Sequence, residues 1–133
     1  MRRRLAVGTL GSALLLSACG GGAGDLLAFE VSATAGEPPR RLVVTGDGRG
    51  SCDGGELKAL VSERLIEARA VERDLGPLAT DGARFEAGRR PAAATLVGRS
   101  VAGTVRWVEG GSGQPEVLAR ATLLATKLER ELC

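Results

Sequence analysis

Leu27-Ala28-Phe29-Glu30-Val31-Ser32-Ala33-Thr34 is the stretch that decides how this chain folds. Leu27, Phe29, Val31 and Ala33 alternate with Ala28, Glu30, Ser32 and Thr34, and a period of two is the signature of a half-buried strand. Gly36-Glu37-Pro38-Pro39 then interrupts the ladder, because proline has no N–H to donate to a neighbouring strand. Leu42 to Thr45 resumes the apolar pattern, so the two segments predict a hairpin. Its outward face should carry Glu30, Ser32, Thr34, Arg41, Val43 and Thr45.

Downstream, Gly46 to Gly55 is glycine-rich and reads as a loop. Asp53 and Glu56 have capping-box spacing, and a helix should follow with Leu57, Leu60, Val61, Leu65, Ala68 and Leu75 on one stripe. Gly76-Pro77 is its expected end, and residues 79–91, small and charged without a period, read as a mobile loop. Ala94 to Val97, a turn at Gly98-Arg99-Ser100 and Val101 to Val108 predict a second hairpin. In it Val101, Gly103, Val105 and Trp107 share the core face, with Thr104 and Arg106 outward. Gly110-Gly111-Ser112-Gly113 is a loop, and Pro115 suits the start of a last helix. There Glu116 and Arg120 form an i,i+4 pair, and Val117, Ala121, Leu124, Leu128 and Leu132 face inward. The order β-β-α-β-β-α predicts an α+β domain, a four-stranded, mainly antiparallel sheet with two helices on one face.

At the other end of the chain, Arg2-Arg3-Arg4 precedes a twelve-residue apolar run, Leu5 to Leu16, and then Ser17-Ala18-Cys19. A membrane-spanning helix needs about 20 apolar residues, so this shorter run reads as a secretory leader. Leu16-Ser17-Ala18-Cys19 resembles the lipobox of bacterial lipoprotein precursors, which implies cleavage before Cys19 and acylation of that cysteine. An unlipidated secreted protein is the alternative. The resemblance divides the chain into a signal peptide (1–18), a lipidated cysteine with a glycine-rich tether (19–25) and one small domain (26–133). It implies an extracytoplasmic protein anchored by lipid to the bacterial cell membrane or outer membrane. Gly20 to Gly24 has almost no side chain to pack and behaves as a coil of about 12 Å r.m.s. length.

Losing the leader removes three of the eighteen basic residues and none of the sixteen acidic ones, so the remainder is nearly neutral. With no basic stripe and only Phe29, Phe85 and Trp107 as aromatics, nucleic acid is not an expected partner. A small core of Leu, Val and Ala needs a covalent staple, and outside the cytoplasm Cys52 and Cys133 read as a disulfide. Cys52 precedes the first helix and Cys133 ends the second, so that bridge would make the two helices run roughly antiparallel.

The chain contains no histidine, which removes Ser-His-Asp and Cys-His catalysis and the usual zinc ligand. Glu63, Glu67, Glu72 and Asp74 share a helix with Arg64, Arg69 and Arg73, the pattern of a solvated ion-pair face. Gly46-Asp47-Gly48-Arg49-Gly50-Ser51 has serine where a dinucleotide loop needs its third glycine. As a calcium loop it would place Arg49, Cys52 and Lys58 at ligand or glycine positions. Accordingly, no catalytic residue, metal ligand or cofactor is expected, and the chain reads as a non-enzyme.

The domain is also similar in layout to the emfourin-type inhibitors of thermolysin-like metallopeptidases. The likeness rests on three parts: a strand, turn and arginine-bearing strand (Phe29 to Thr45), a leucine-rich helix ending in Leu75-Gly76-Pro77-Leu78, and a hairpin running through Gly113-Gln114-Pro115-Glu116-Val117-Leu118. It implies a non-catalytic binding module whose partner is a secreted metallopeptidase, and it assigns no inhibitory residue. The alternative is an accessory envelope lipoprotein serving a larger assembly. The surface most suited to a partner is the hairpin tip Glu37-Pro38-Pro39-Arg40, already stiffened by its prolines.

Overall fold

The computed structural model describes residues 24–33, 37–85 and 93–133. The leader, Cys19, the tether up to Ala23, Thr34 and part of the expected 79–91 loop lie outside the described residues. Eight elements follow in order: β1 (Asp25–Ser32), β2 (Arg40–Thr45), β3 (Arg49–Cys52), β4 (Lys58–Ala59), α1 (Ser62–Thr80), β5 (Thr95–Ser100), β6 (Gly103–Val108) and α2 (Glu116–Leu132). The class is α+β as expected, but the antiparallel sheet has six strands, in the order β4-β3-β2-β1-β5-β6, not four.

The two additional strands come from the segment read as a glycine-rich loop. Gly48, at φ +89°, turns the chain after β2, and Arg49–Cys52 then pairs back onto Val44–Leu42. Gly50 is a strand glycine for a packing reason: a Cβ there would stand 2.8 Å from Leu132 Cδ1 of α2. Lys58 and Ala59 pair with β3 as an edge strand, and the Leu60 N–H reaches the Gly48 carbonyl at 2.9 Å. That backbone pairing competes with helix formation over residues 56–61, so α1 begins only at Ser62. The expected capping box is therefore absent. Asp53 instead sits at φ 51° beyond β3, where its carboxylate accepts the Arg41 N–H at 2.8 Å. Leu57 and Val61, expected on the core stripe, are exposed.

At its other end α1 continues through Gly76-Pro77 to Thr80. A proline so near the C-terminus removes one helical hydrogen bond, while Ala79 extends the buried stripe of Ala68, Val71 and Leu75. The segment expected as a mobile loop is partly tied down. The Phe85 N–H donates to the Arg106 carbonyl (2.8 Å) and the Arg106 N–H to the Ala83 carbonyl (3.1 Å), with Phe85 packed against the core.

The second hairpin turns at Val101-Ala102, later than the expected Gly98–Ser100. Val101 is 93% exposed and belongs to the turn, not to the core face. Gly98 lies inside β5, where a Cβ would come within 3.0 Å of the Trp107 ring.

Both helices cover the sheet face that carries Leu27, Phe29, Leu42, Val44, Leu96, Val105 and Trp107, and these form one cluster with the inward residues of α1 and α2. All five expected core positions of α2 are buried, together with Leu118 and Ala125. Cys52 and Cys133 are bridged, with 5.4 Å between Cα atoms. Cross-helix ion pairs connect Arg64 with Glu131, Glu67 with Lys127 and Asp74 with Arg120, so residue numbers rise along α1 as they fall along α2. The helices are antiparallel. Arg120 bonds to Asp74 across the helices at 2.7 Å, and no ion pair joins it to Glu116 among the described residues.

Candidate functional site

The face of the sheet away from the helices is laid out by strand register. One row runs Arg41, Glu30, Val97, Arg106 across β2, β1, β5 and β6. The next runs Ser51, Val43, Ala28, Arg99, Thr104. Among the described residues no helix or strand packs over these rows. Arg41, Arg106 and Thr104 are exposed, while Ala28 and Val97 between them are buried. Arg99 Nη2 stands 3.5 Å from Glu30 Oε2, with both side chains partly solvated. A pair of that length and exposure contributes at most about 1 kcal/mol.

Asp25, Ala28, Arg41, Arg99, Ser100 and Val101 line a shallow groove of about 280 Å³ at the end of the sheet where β1 begins. Thr45, expected on the outward face, is instead buried in the β2–β3 turn. Its hydroxyl donates to the Asp47 carboxylate and accepts the Arg49 N–H at 3.1 Å. Hydrogen bonds from Arg49 and then Thr45 hold the Asp47 carboxyl below its ordinary pKa.

At the opposite end of the sheet, Glu37, Pro38 and Pro39 are exposed. Arg40 does not share their isolation. Its guanidinium lies 3.5 Å from Asp53, 3.8 Å from Glu129 and 3.6 Å from Cys52 Sγ, so it braces the disulfide corner. A second cavity, of about 240 Å³, lies beside the start of α2 among Gly111, Gln114, Pro115, Leu118 and Thr122, with Glu109 and Glu116 at its rim.

The carboxylates of α1 form the expected ion-pair face. Arg64 binds both Glu67 (2.8 Å) and Glu131 (2.7 Å), and Lys127 adds a 3.1 Å contact to Glu67. Burial pushes the Glu67 pKa up, but the hydrogen bonds from Lys127 and Arg64 outweigh it and leave the group below its ordinary value. Asp74 is lowered by Arg120 and then Arg73. Because these carboxyls bind protons more weakly when folded, their stabilisation is present above pH ~4, the unfolded carboxylate range. It is lost as pH falls through the folded values. Urea midpoints should therefore stay level from pH 7 to about 5 and drop below about 4. Glu67→Gln should shallow that acid limb, and an identical limb in the variant would show that the seam does not control it.

Gly98-Arg99-Ser100 reads in the sequence as an exposed turn and a candidate for recognition; the structure keeps Arg99 exposed but places it inside β5, on the outward face of the sheet. Among the described residues no group of three or more His, Cys, Asp or Glu is placed to hold a metal ion, and no helix is long and apolar enough to cross a membrane. Comparison with protein-family models, with curated proteins and with solved structures finds no match for this chain.

Proposed function

We propose that this chain is a lipid-anchored, extracytoplasmic binding module with no catalytic activity of its own, which presents the β1–β2 hairpin tip to a protein partner. The observation that carries this reading is the placement of Glu37-Pro38-Pro39, exposed at the end of the sheet opposite Asp25, where the tether ends. β1 is eight residues long, so that tip stands about 26 Å from the end at which the anchor would attach. The prolines already restrict the tip, so little conformational entropy is lost when a partner orders it. Lipobox-like residues at Leu16–Cys19 support the anchor. The inhibitor-like layout makes a thermolysin-like secreted metallopeptidase the first partner to try.

Two measurements test this. Mass spectrometry of detergent-extracted protein should find lipid on Cys19, and the lipid should be missing from Cys19→Ser. Titrating the purified protein into thermolysin-like peptidases should abolish activity at a one-to-one ratio, and replacing residues 37–39 by Gly-Ser-Gly should relieve that inhibition while leaving the urea midpoint within ~0.5 kcal/mol. No inhibition of several such peptidases removes the inhibitor reading and leaves the accessory lipoprotein, whose partner would be sought by co-purification after gentle solubilisation. An unlipidated Cys19 removes the anchor.

A further inference from the structure

The open sheet face and the N-terminal tether meet at one corner of the molecule. β1 starts at Asp25, and the side chain of Asp25 lines the same groove as Arg41 and Arg99. Asp25 stands six residues on from Cys19. Six residues reach no further than about 21 Å even when fully extended. An acylated Cys19 would therefore keep this corner within about 21 Å of the bilayer surface. The corner is also suited to that position. Val101 at the β5–β6 turn is 93% exposed, and it lines the groove together with Arg41 and Arg99. Arg106 adds a third cation on the same face. The nearby carboxylates include Asp25, at the groove's rim, Glu30, already 3.5 Å from Arg99, and Asp53, which accepts the Arg41 N–H and pairs with Arg40. Arg41, Arg99 and Arg106 together give this face three guanidinium donors for an anion.

We infer that this corner docks on anionic lipid headgroups, with Arg41 and Arg99 contacting phosphates and Val101 entering the interface. The docking rests on the lipid-anchor reading above and adds to it an orientation: the open face lies toward the bilayer and the Glu37–Pro39 tip points away from it. Arginine suits the role because its planar fork binds phosphate oxygens bidentately. The acyl chains provide the anchoring, and the guanidiniums fix which side faces the membrane.

The test uses the full chain as extracted from cells, placed in lipid nanodiscs of either phosphatidylcholine alone or phosphatidylcholine with phosphatidylglycerol, and followed by hydrogen exchange. Each arginine at an anionic surface raises occupancy about fivefold. Peptides covering residues 25–30 and 98–103 should therefore exchange more slowly with phosphatidylglycerol, by roughly an order of magnitude. Residues 37–40 should be unchanged. Arg41→Gln with Arg99→Gln should abolish the difference while the lipid mass on Cys19 remains, and raising the salt should shrink it. Lipid on Cys19 with equal exchange in the two kinds of disc overturns the docking and leaves the anchor standing. Absence of lipid on Cys19 overturns both. Protection seen in native membranes but not in phosphatidylglycerol discs identifies a protein as the occupant and also overturns the docking.

Discussion

Reducing the Cys52–Cys133 bridge is expected to lower the unfolding free energy by about 4.5 kcal/mol, the loop-entropy value for its 81-residue separation. Losses of native disulfides in small domains run from about 2 to 5 kcal/mol. In a domain of this size that corresponds to a fall in Tm of roughly 20 °C. The location of the bridge explains why the effect should be large and why it should begin locally. Cys133 caps α2, and Cys52 ends β3, whose outer neighbour among the described residues is the two-residue strand β4. Beside the bridge, Leu132 fills the space over Gly50 and its carbonyl accepts the Lys58 ammonium at 3.3 Å. Without the covalent link, the last turn of α2 frays, and β3 and β4 lose the side chain that covers them. Hydrogen exchange should show Gly50, Lys58 and Leu132 losing protection before the β1–β5 centre does. The check is a urea titration of oxidised protein against protein reduced and alkylated at both sulfurs, with Cys52→Ser/Cys133→Ser alongside. Equal midpoints in all three would show that the bridge is incidental to stability.

Much of this architecture is legible from periodicity and from the cysteines. The alternation at Leu27 and Phe29, the stripe Val117–Leu132 and the boundary at Pro115 all hold, because each is decided by which residues face the core. The antiparallel helices follow from two cysteine positions alone. Reading fails at the glycines, which mark two different physical situations. Gly48 and Gly103 have positive φ, at +89° and +143°, and are needed for backbone conformation, although at Gly103 the Ala79 carbonyl of α1 also leaves no room for a Cβ. Gly50 and Gly98 sit in strands and are needed because Leu132 and Trp107 occupy the place of a Cβ. Only the second pair lies in strands that composition disguises as loop or turn. Distinguishing the two situations requires the tertiary partner, which no local window contains.

The same ambiguity hides part of the candidate surface. Glu30, Arg41, Val43, Thr104 and Arg106 are placed outward by alternation, and the strand register agrees. Arg99 joins them only once β5 is known to run through Gly98 to Ser100. Thr45 leaves the set because the Asp47 carboxylate and the Arg49 N–H draw it into the turn. For the hairpin tip, exposure was legible at Glu37–Pro39, whereas the engagement of Arg40 with Asp53 and Glu129 depends on a strand and a helix far away in sequence.

Trp107→Ala is expected to cost about 3–5 kcal/mol, much of the 5–15 kcal/mol that holds a typical domain folded. Trp107 is fully buried, meets Phe29 edge-on at 6.4 Å between ring centroids, and donates its indole N–H to Thr122 Oγ1 at 2.9 Å. The hydroxyl of Thr122 still has the Leu118 carbonyl, 2.9 Å away, to donate to once the indole is gone, so an unsatisfied polar group contributes little. The cavity term dominates, and the glycine opposite offers a way to prove it. In the native protein Gly98→Ala puts a methyl within 3.0 Å of the indole and should cost about 1–3 kcal/mol by overpacking. Once Trp107 is alanine, that methyl enters vacated space; its nearest neighbour besides the ring is Leu75, at an ordinary 3.6 Å. Gly98→Ala should then be neutral or stabilise by a few tenths to about 1 kcal/mol, since it also restricts the unfolded chain. Urea midpoints for the four members of this double-mutant cycle should therefore give a coupling of at least ~1 kcal/mol between positions 98 and 107. If Gly98→Ala carries the same penalty in both backgrounds, the glycine serves the strand backbone and not the ring, and the account of why β5 contains it fails.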